Sequence, residues 1–125
     1  FLDEIYSPAY YEESDFCLRA WTEGFTVAYT PEVEVLHQRH QTANLLAPAE
    51  KMSIILRNRI TFLLINYPIS WIMLALPEVA RFSVEMLGER DGVKLAVRTV
   101  LILIWRLPDI VRKRLKRAHA KAVLK

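Results

Sequence analysis

Near its start this chain brings together three acids, Glu12, Glu13 and Asp15, and further on it carries His37. Two adjacent carboxylates can act as a tuned base. The charge of one raises the pKa of the other toward the working pH, where it can take a proton from a hydroxyl. Clustered acids also suit hard divalent cations, and histidine is a common metal ligand. Taken singly, each has a plainer reading. A Glu-Glu-Ser-Asp run ahead of a helix complements the helix dipole, and a histidine at a strand end is ordinarily a surface or core residue. Their joint spacing is what gives these residues weight, so the elements that carry them matter.

The opening run FLDEIYSPAYY is aromatic, is broken by Pro8 and reads as a loop. Over residues 14–23 the apolar Phe16, Cys17, Ala20 and Trp21 fall at i, i+1, i+4 and i+5, one stripe of a helix. Ser14 is the expected N-cap, Asp15 suits the positive end of the dipole, and Gly24 sits where a left-handed C-terminal cap belongs. Phe16, Cys17 and Trp21 are expected in the core. Residues 25–29 are aromatic and β-branched and predict a strand ended by Thr30-Pro31. Residues 33–37 predict a second, with Val33, Val35 and His37 on one face. A helix–strand–strand run this short needs a larger sheet to lean on. With Phe1 where an initiator methionine would stand, this predicts that the chain is part of a longer protein.

The run Tyr10-Tyr11-Glu12-Glu13-Ser14-Asp15-Phe16-Cys17-Leu18-Arg19-Ala20, with Glu23-Gly24-Phe25, Tyr29-Thr30-Pro31 and Val35-Leu36-His37 behind it, resembles a motif of the family 2 glycosyltransferases. That motif reads YYEDxDLCLRxxxxGYxxxYxPxxxxxH. The likeness covers roughly residues 1–67. It implies a GT-A fold, a nucleotide-binding α/β sandwich, with the acidic pair at a helix N-terminus beside the acceptor pocket. By position Glu13 matches the family's general base, Glu12 its partner, and Asp15 an acid that orients acceptor hydroxyls. His37 matches a histidine that in some members helps bind the metal. The chemistry implied is an inverting transfer: a carboxylate takes the acceptor proton as the oxygen attacks the anomeric carbon opposite the leaving nucleoside diphosphate. A divalent cation, Mg or Mn, neutralises the diphosphate and is held mostly by an Asp-x-Asp motif that these residues lack. The commonest family pair is Glu-Asp; here it is Glu-Glu, which sets the base one methylene further out.

Charge divides the chain. Residues 1–50 hold nine acids against Arg19 and Arg39, net −7, and residues 51–125 hold fifteen basic residues against five acids, net +10. A basic, apolar unit suggests an anionic membrane surface or nucleic acid. Residues 38–50 have linker composition and read either as a solvated linker or, as the resemblance implies, as a stretch over the active site where Arg39 and His40 touch substrate phosphates. A helix from Ala49 toward Asn66 carries Arg57-Asn58-Arg59, which resembles the family's RNR segment and implies packing beside the catalytic domain. Its arginines are expected to meet lipid or acceptor phosphates rather than a carboxylate.

The uncharged run 60–77 is marginal against the ~20 residues a span requires, and Asn66-Tyr67-Pro68 interrupts it. Pro68 and Pro77 read as helix starts, which predicts short helices lying in the membrane interface with Tyr67 and Trp71 at headgroup depth. After a turn over residues 88–92, one helix is expected up to Arg106 and a last one from Pro108 to about residue 121. That last helix carries Arg112, Lys113, Arg114, Lys116, Arg117 and Lys121, an amphipathic pattern suited to anionic lipid. No aromatic residue is interleaved among these cations, which argues against nucleic acid as the partner. The single cysteine, Cys17, cannot form an internal disulfide and points to a cytosol-facing location.

These readings predict an α/β chain in two units. Residues 1–47 are the C-terminal part of a GT-A catalytic domain, and residues 48–125 a helical, membrane-associated region. The expected function is the C-terminal portion of an inverting, rhamnosyltransferase-like enzyme. It moves a sugar from a nucleotide-sugar donor to a lipid-linked or polysaccharide acceptor in cell-envelope glycan synthesis, at the cytoplasmic face of the membrane. The donor half is missing, so these residues are not expected to turn over alone. The rival of another class is a non-enzymatic, membrane-peripheral adaptor whose acidic head recruits a partner.

Overall fold

A computed structural model describes residues 1–32, 34 and 46–123. Among these residues a 3-10 turn, Glu4–Tyr6, comes first, followed by four helices: α1 (Glu12–Thr22), α2 (Pro48–Asn66), α3 (Ile69–Leu87) and α4 (Gly92–Val123). Among the described residues there is no strand. The α/β GT-A architecture expected for this chain is therefore corrected: the fold is helical. Residues 25–30 do run outside any helix, but Phe25, Val27 and Tyr29 are 67%, 52% and 90% exposed. A strand exists only when a neighbour takes up its N–H and C=O groups, and no described segment does so here. Apart from Glu34, the second expected strand lies outside the described residues.

Local chemistry sets most helix ends. Asp3 caps the 3-10 turn, its side chain accepting from the Ile5 N–H at 3.1 Å. Helix α1 starts at Glu12, two residues ahead of the expected cap Ser14, and is followed by left-handed Gly24. Pro48 opens α2, where its missing N–H costs nothing. The break at Tyr67-Pro68 is where the sequence placed it, with Pro68 in extended conformation as the N-cap of α3. Between α3 and α4, a Cβ on Gly92 would meet the Met86 carbonyl oxygen at 2.1 Å, so only glycine allows the turn to close.

Two expected breaks do not occur. Pro77 lies inside α3 and Pro108 inside α4, which is one helix of 32 residues. Both prolines are exposed, on the solvent side. Contacts on either side of Pro108 hold the helix against a local penalty of about 3 kcal/mol. Helix α4 packs along α2, α3 packs against both, and the 3-10 turn rests on α2. The apolar core is small: one cluster of Ile5, Tyr6, Ile65 and Ile110, with Tyr11, Phe62 and Leu64 packed against it, and the buried Ala49, Leu56, Met86 and Leu95. Helix α1 is turned opposite to expectation. Phe16 and Trp21 are 43% and 67% exposed, and the face that enters the interior is the one bearing Asp15.

Candidate functional site

Asp15 is completely buried, and four elements converge on it. Its Oδ1 accepts from the Tyr6 hydroxyl at 2.9 Å, from Arg117 at 2.6 Å and from the Asn66 amide at 3.3 Å. Its Oδ2 accepts from Arg19 Nε at 2.9 Å and from Arg117 at 3.2 Å. Burial alone would raise the Asp15 carboxyl. Hydrogen bonds from Arg117 and Arg19, together with the Arg117 charge, outweigh burial and hold it below the ordinary carboxylate range. The Tyr6 hydroxyl moves the other way, raised first by burial and then by the Asp15 charge it donates to. With both oxygens taken by protein donors, Asp15 has none to offer an acceptor hydroxyl. Its place is beneath α1, fixing that helix to the 3-10 turn, α2 and α4.

Next to this hub, Asn58 holds the loop that leads into α1. Fully buried, its amide nitrogen lies 2.5 Å from the Tyr6 carbonyl, 2.7 Å from that of Ala9 and 3.1 Å from that of Tyr10. Arg57 donates to Asn58 Oδ1 at 3.0 Å and to the Ser7 carbonyl at 2.7 Å. Burial, aided by the charges of Arg106 and Arg98, lowers the Arg57 pKa to about 10. The loop needs this grip because Tyr10 and Tyr11 both stand in the left-handed region, at φ 73° and 75°. Each such non-glycine residue costs about 1–3 kcal/mol and persists only where its surroundings over-determine it. The Tyr11 ring also packs on Phe62, with centroids 5.4 Å apart.

The two strained tyrosines deliver Glu12 and Glu13 into the first turn of α1. Glu13 is exposed; Glu12 is half-buried, with one carboxylate oxygen sealed from solvent and lacking a hydrogen-bond partner. The Thr61 hydroxyl on α2 is likewise buried and unpartnered. Glu12 and Glu13 lie outside a cleft of about 950 Å³ lined by Asp3, Arg19, Arg106, Lys113 and Arg117 among others. Of the acids singled out in the sequence, the structure thus presents Glu12 and Glu13 at the surface and withdraws Asp15. His37, Arg39 and His40 lie outside the described residues. Among the described residues no group of three or more His, Cys, Asp or Glu side chains comes together as a metal site.

The basic residues also differ from expectation. Arg59 pairs with a carboxylate, that of Glu78, through both terminal nitrogens. In the basic tail, Lys113 pairs with Asp3 at 2.7 Å, Arg117 with Asp15, and Arg114 donates to the carbonyls of Leu64 and of Tyr67, the latter at 2.9 Å. These three cations are internal and do not reach for lipid. Sequence reasoning missed the roles of Tyr6, Asn66 and Arg117 entirely. The Arg-Asn-Arg segment was the one signal that pointed here, and its packing role falls on Asn58.

The class defined so far is a helical unit whose buried polar hub braces a strained, acid-presenting turn. No family model, no curated protein and no solved structure matches this chain.

Proposed function

We propose that this chain is the acceptor-side, base-bearing portion of an inverting family 2 glycosyltransferase. The enzyme moves a sugar from a nucleotide-sugar donor to a lipid-linked or polysaccharide acceptor in cell-envelope glycan synthesis, at the cytoplasmic face of the membrane. One observation carries the reading: two consecutive left-handed tyrosines, pinned by Asn58, present Glu12 and Glu13 at the start of α1. Strain of this kind in front of solvent-reachable carboxylates is the mark of a preorganised site rather than of a helix cap, which would need no left-handed pair.

Glu13, exposed at the helix N-terminus, takes the proton from the acceptor hydroxyl as that oxygen attacks the anomeric carbon. Glu12, half-buried beside it with one oxygen sealed from solvent, is its partner in the acidic pair. Asp15 and Asn58 act through position only, keeping the turn in the geometry that the transfer requires. The donor nucleotide and the divalent cation that neutralises its diphosphate would be bound by residues beyond those described, and no step here passes through them.

The test is Glu13→Gln in the full-length enzyme. Because Glu13 is exposed, the variant should fold normally and bind the nucleotide-sugar as before, with turnover lowered at least ~100-fold. A near-normal rate would remove Glu13 from the base role.

A further inference from the structure

Helix α4 is turned with its apolar stripe outward. Val93, Val97, Val100, Ile104, Leu107, Val111 and Leu115 recur every three or four residues on one face, and all are 45–65% exposed. The stripe runs about 33 Å along the helix. One edge of it carries Lys94, Arg98, Arg112 and Lys116 with Trp105 among them, all five exposed. The opposite edge carries Ala96, Leu103 and Arg114. Helix α3 adds an outward apolar stripe of its own, with Ile69, Met73, Leu76 and Val84 exposed. Among the described residues no helix is long and apolar enough to cross a membrane.

We infer that the outward stripe of α4 lies in the interface of an anionic lipid bilayer. Its valines and isoleucine enter the acyl boundary, Trp105 sits at headgroup depth, and Lys94, Arg98 and Lys116 meet lipid phosphates. Charge selects this occupant over a second copy of the chain. Two stripes facing each other would bring the cationic edges against each other or against Ala96, Leu103 and Arg114, none of which is an acid. An anionic surface answers Lys94, Arg98 and Lys116, while Arg112 pairs with Asp109. The cations that serve differ from those a count of the tail suggests, since Lys113, Arg114 and Arg117 are bound inside. The inference deepens the glycosyltransferase reading by naming the surface that brings the acceptor side to a lipid-linked substrate. Its test does not read turnover, so either can fail alone.

The experiment is flotation of the full-length protein with vesicles of phosphatidylcholine alone or mixed equally with phosphatidylglycerol. The wild type should float with the anionic vesicles and weaken with salt. Val97→Glu combined with Ile104→Glu, both at exposed positions, should abolish flotation while leaving the thermal midpoint and circular dichroism unchanged. Arg98→Glu combined with Lys116→Glu should weaken binding to the anionic vesicles at least ~30-fold and leave the residual binding to neutral vesicles unchanged. Indifference to lipid charge, flotation that survives the Val97/Ile104 change, or a wild-type dimer that this change converts to monomer would each overturn the inference.

Discussion

The two faces of α4 invert the usual arrangement of a helix on a small protein. The inner face is rich in cations: Arg106 donates to the Ile5 carbonyl, Lys113 pairs with Asp3, Arg114 caps the end of α2 and Arg117 reaches Asp15. The outer face, from Val93 to Leu115, is aliphatic and bare. The inner face teaches that the acids of the N-terminal segment and the cations of the tail are one system. Net charges of −7 and +10 along the sequence partly meet in space across buried ion pairs. The outer face shows that the apolar content of the chain is only partly spent on its own core, which holds Ile5, Tyr6, Ile65 and Ile110.

Breaking the inner face should have the largest effect. Asp15→Asn keeps the shape but leaves Arg117 and Arg19 facing a neutral amide in a dry site, and should lower stability by about 3–5 kcal/mol in urea unfolding. Adding Arg117→Met should recover part of that loss, which a double-mutant cycle would show. Asn58→Ala should cost about 2 kcal/mol and speed amide exchange in residues 7–11, since its amide holds the Tyr6, Ala9 and Tyr10 carbonyls of the left-handed turn.

The hub also sets a pH window. The folded Asp15 carboxyl is held below its ordinary value, so its contribution is complete above the unfolded range, about pH 4, and is lost as pH falls through the folded pKa. The folded Tyr6 hydroxyl is raised, so its contribution is complete below about pH 10 and fades as pH climbs beyond it. Stability against pH should show both limbs, with Asp15→Asn flattening the acid one and Tyr6→Phe the alkaline one. The smallest effect belongs to the outer face. Val97→Glu should change stability by no more than ~0.5 kcal/mol, and a larger loss would mean that the stripe is covered by polypeptide.

Part of this was readable from residue order. The helix after the acids, the interruption at Asn66-Tyr67-Pro68 and the turn before Gly92 each rest on local chemistry: dipole-matched acids, a proline without an N–H, and a glycine where a Cβ cannot fit. Glu12 and Glu13 stood out by type and spacing, and the structure presents both at the start of α1. The strand expected over residues 25–29 failed because β propensity measures fitness for a sheet, and the sheet must come from elsewhere in the fold. Pro108 failed as a helix break because packing on both sides of it exceeds a local penalty.

By itself, the sequence determined the break at Tyr67-Pro68 and the turn before Gly92, which side chains carry charge, and that an acidic pair lies at the start of a helix. Only the tertiary structure decided direction: that Asp15 and Arg117 point inward while Phe16, Trp21 and the valines of α4 point out. The physical reason is that periodicity identifies a face but not what covers it. A long cation is equally at home in solvent or on a buried carboxylate, and the choice falls to whichever partner the fold brings within about 3 Å.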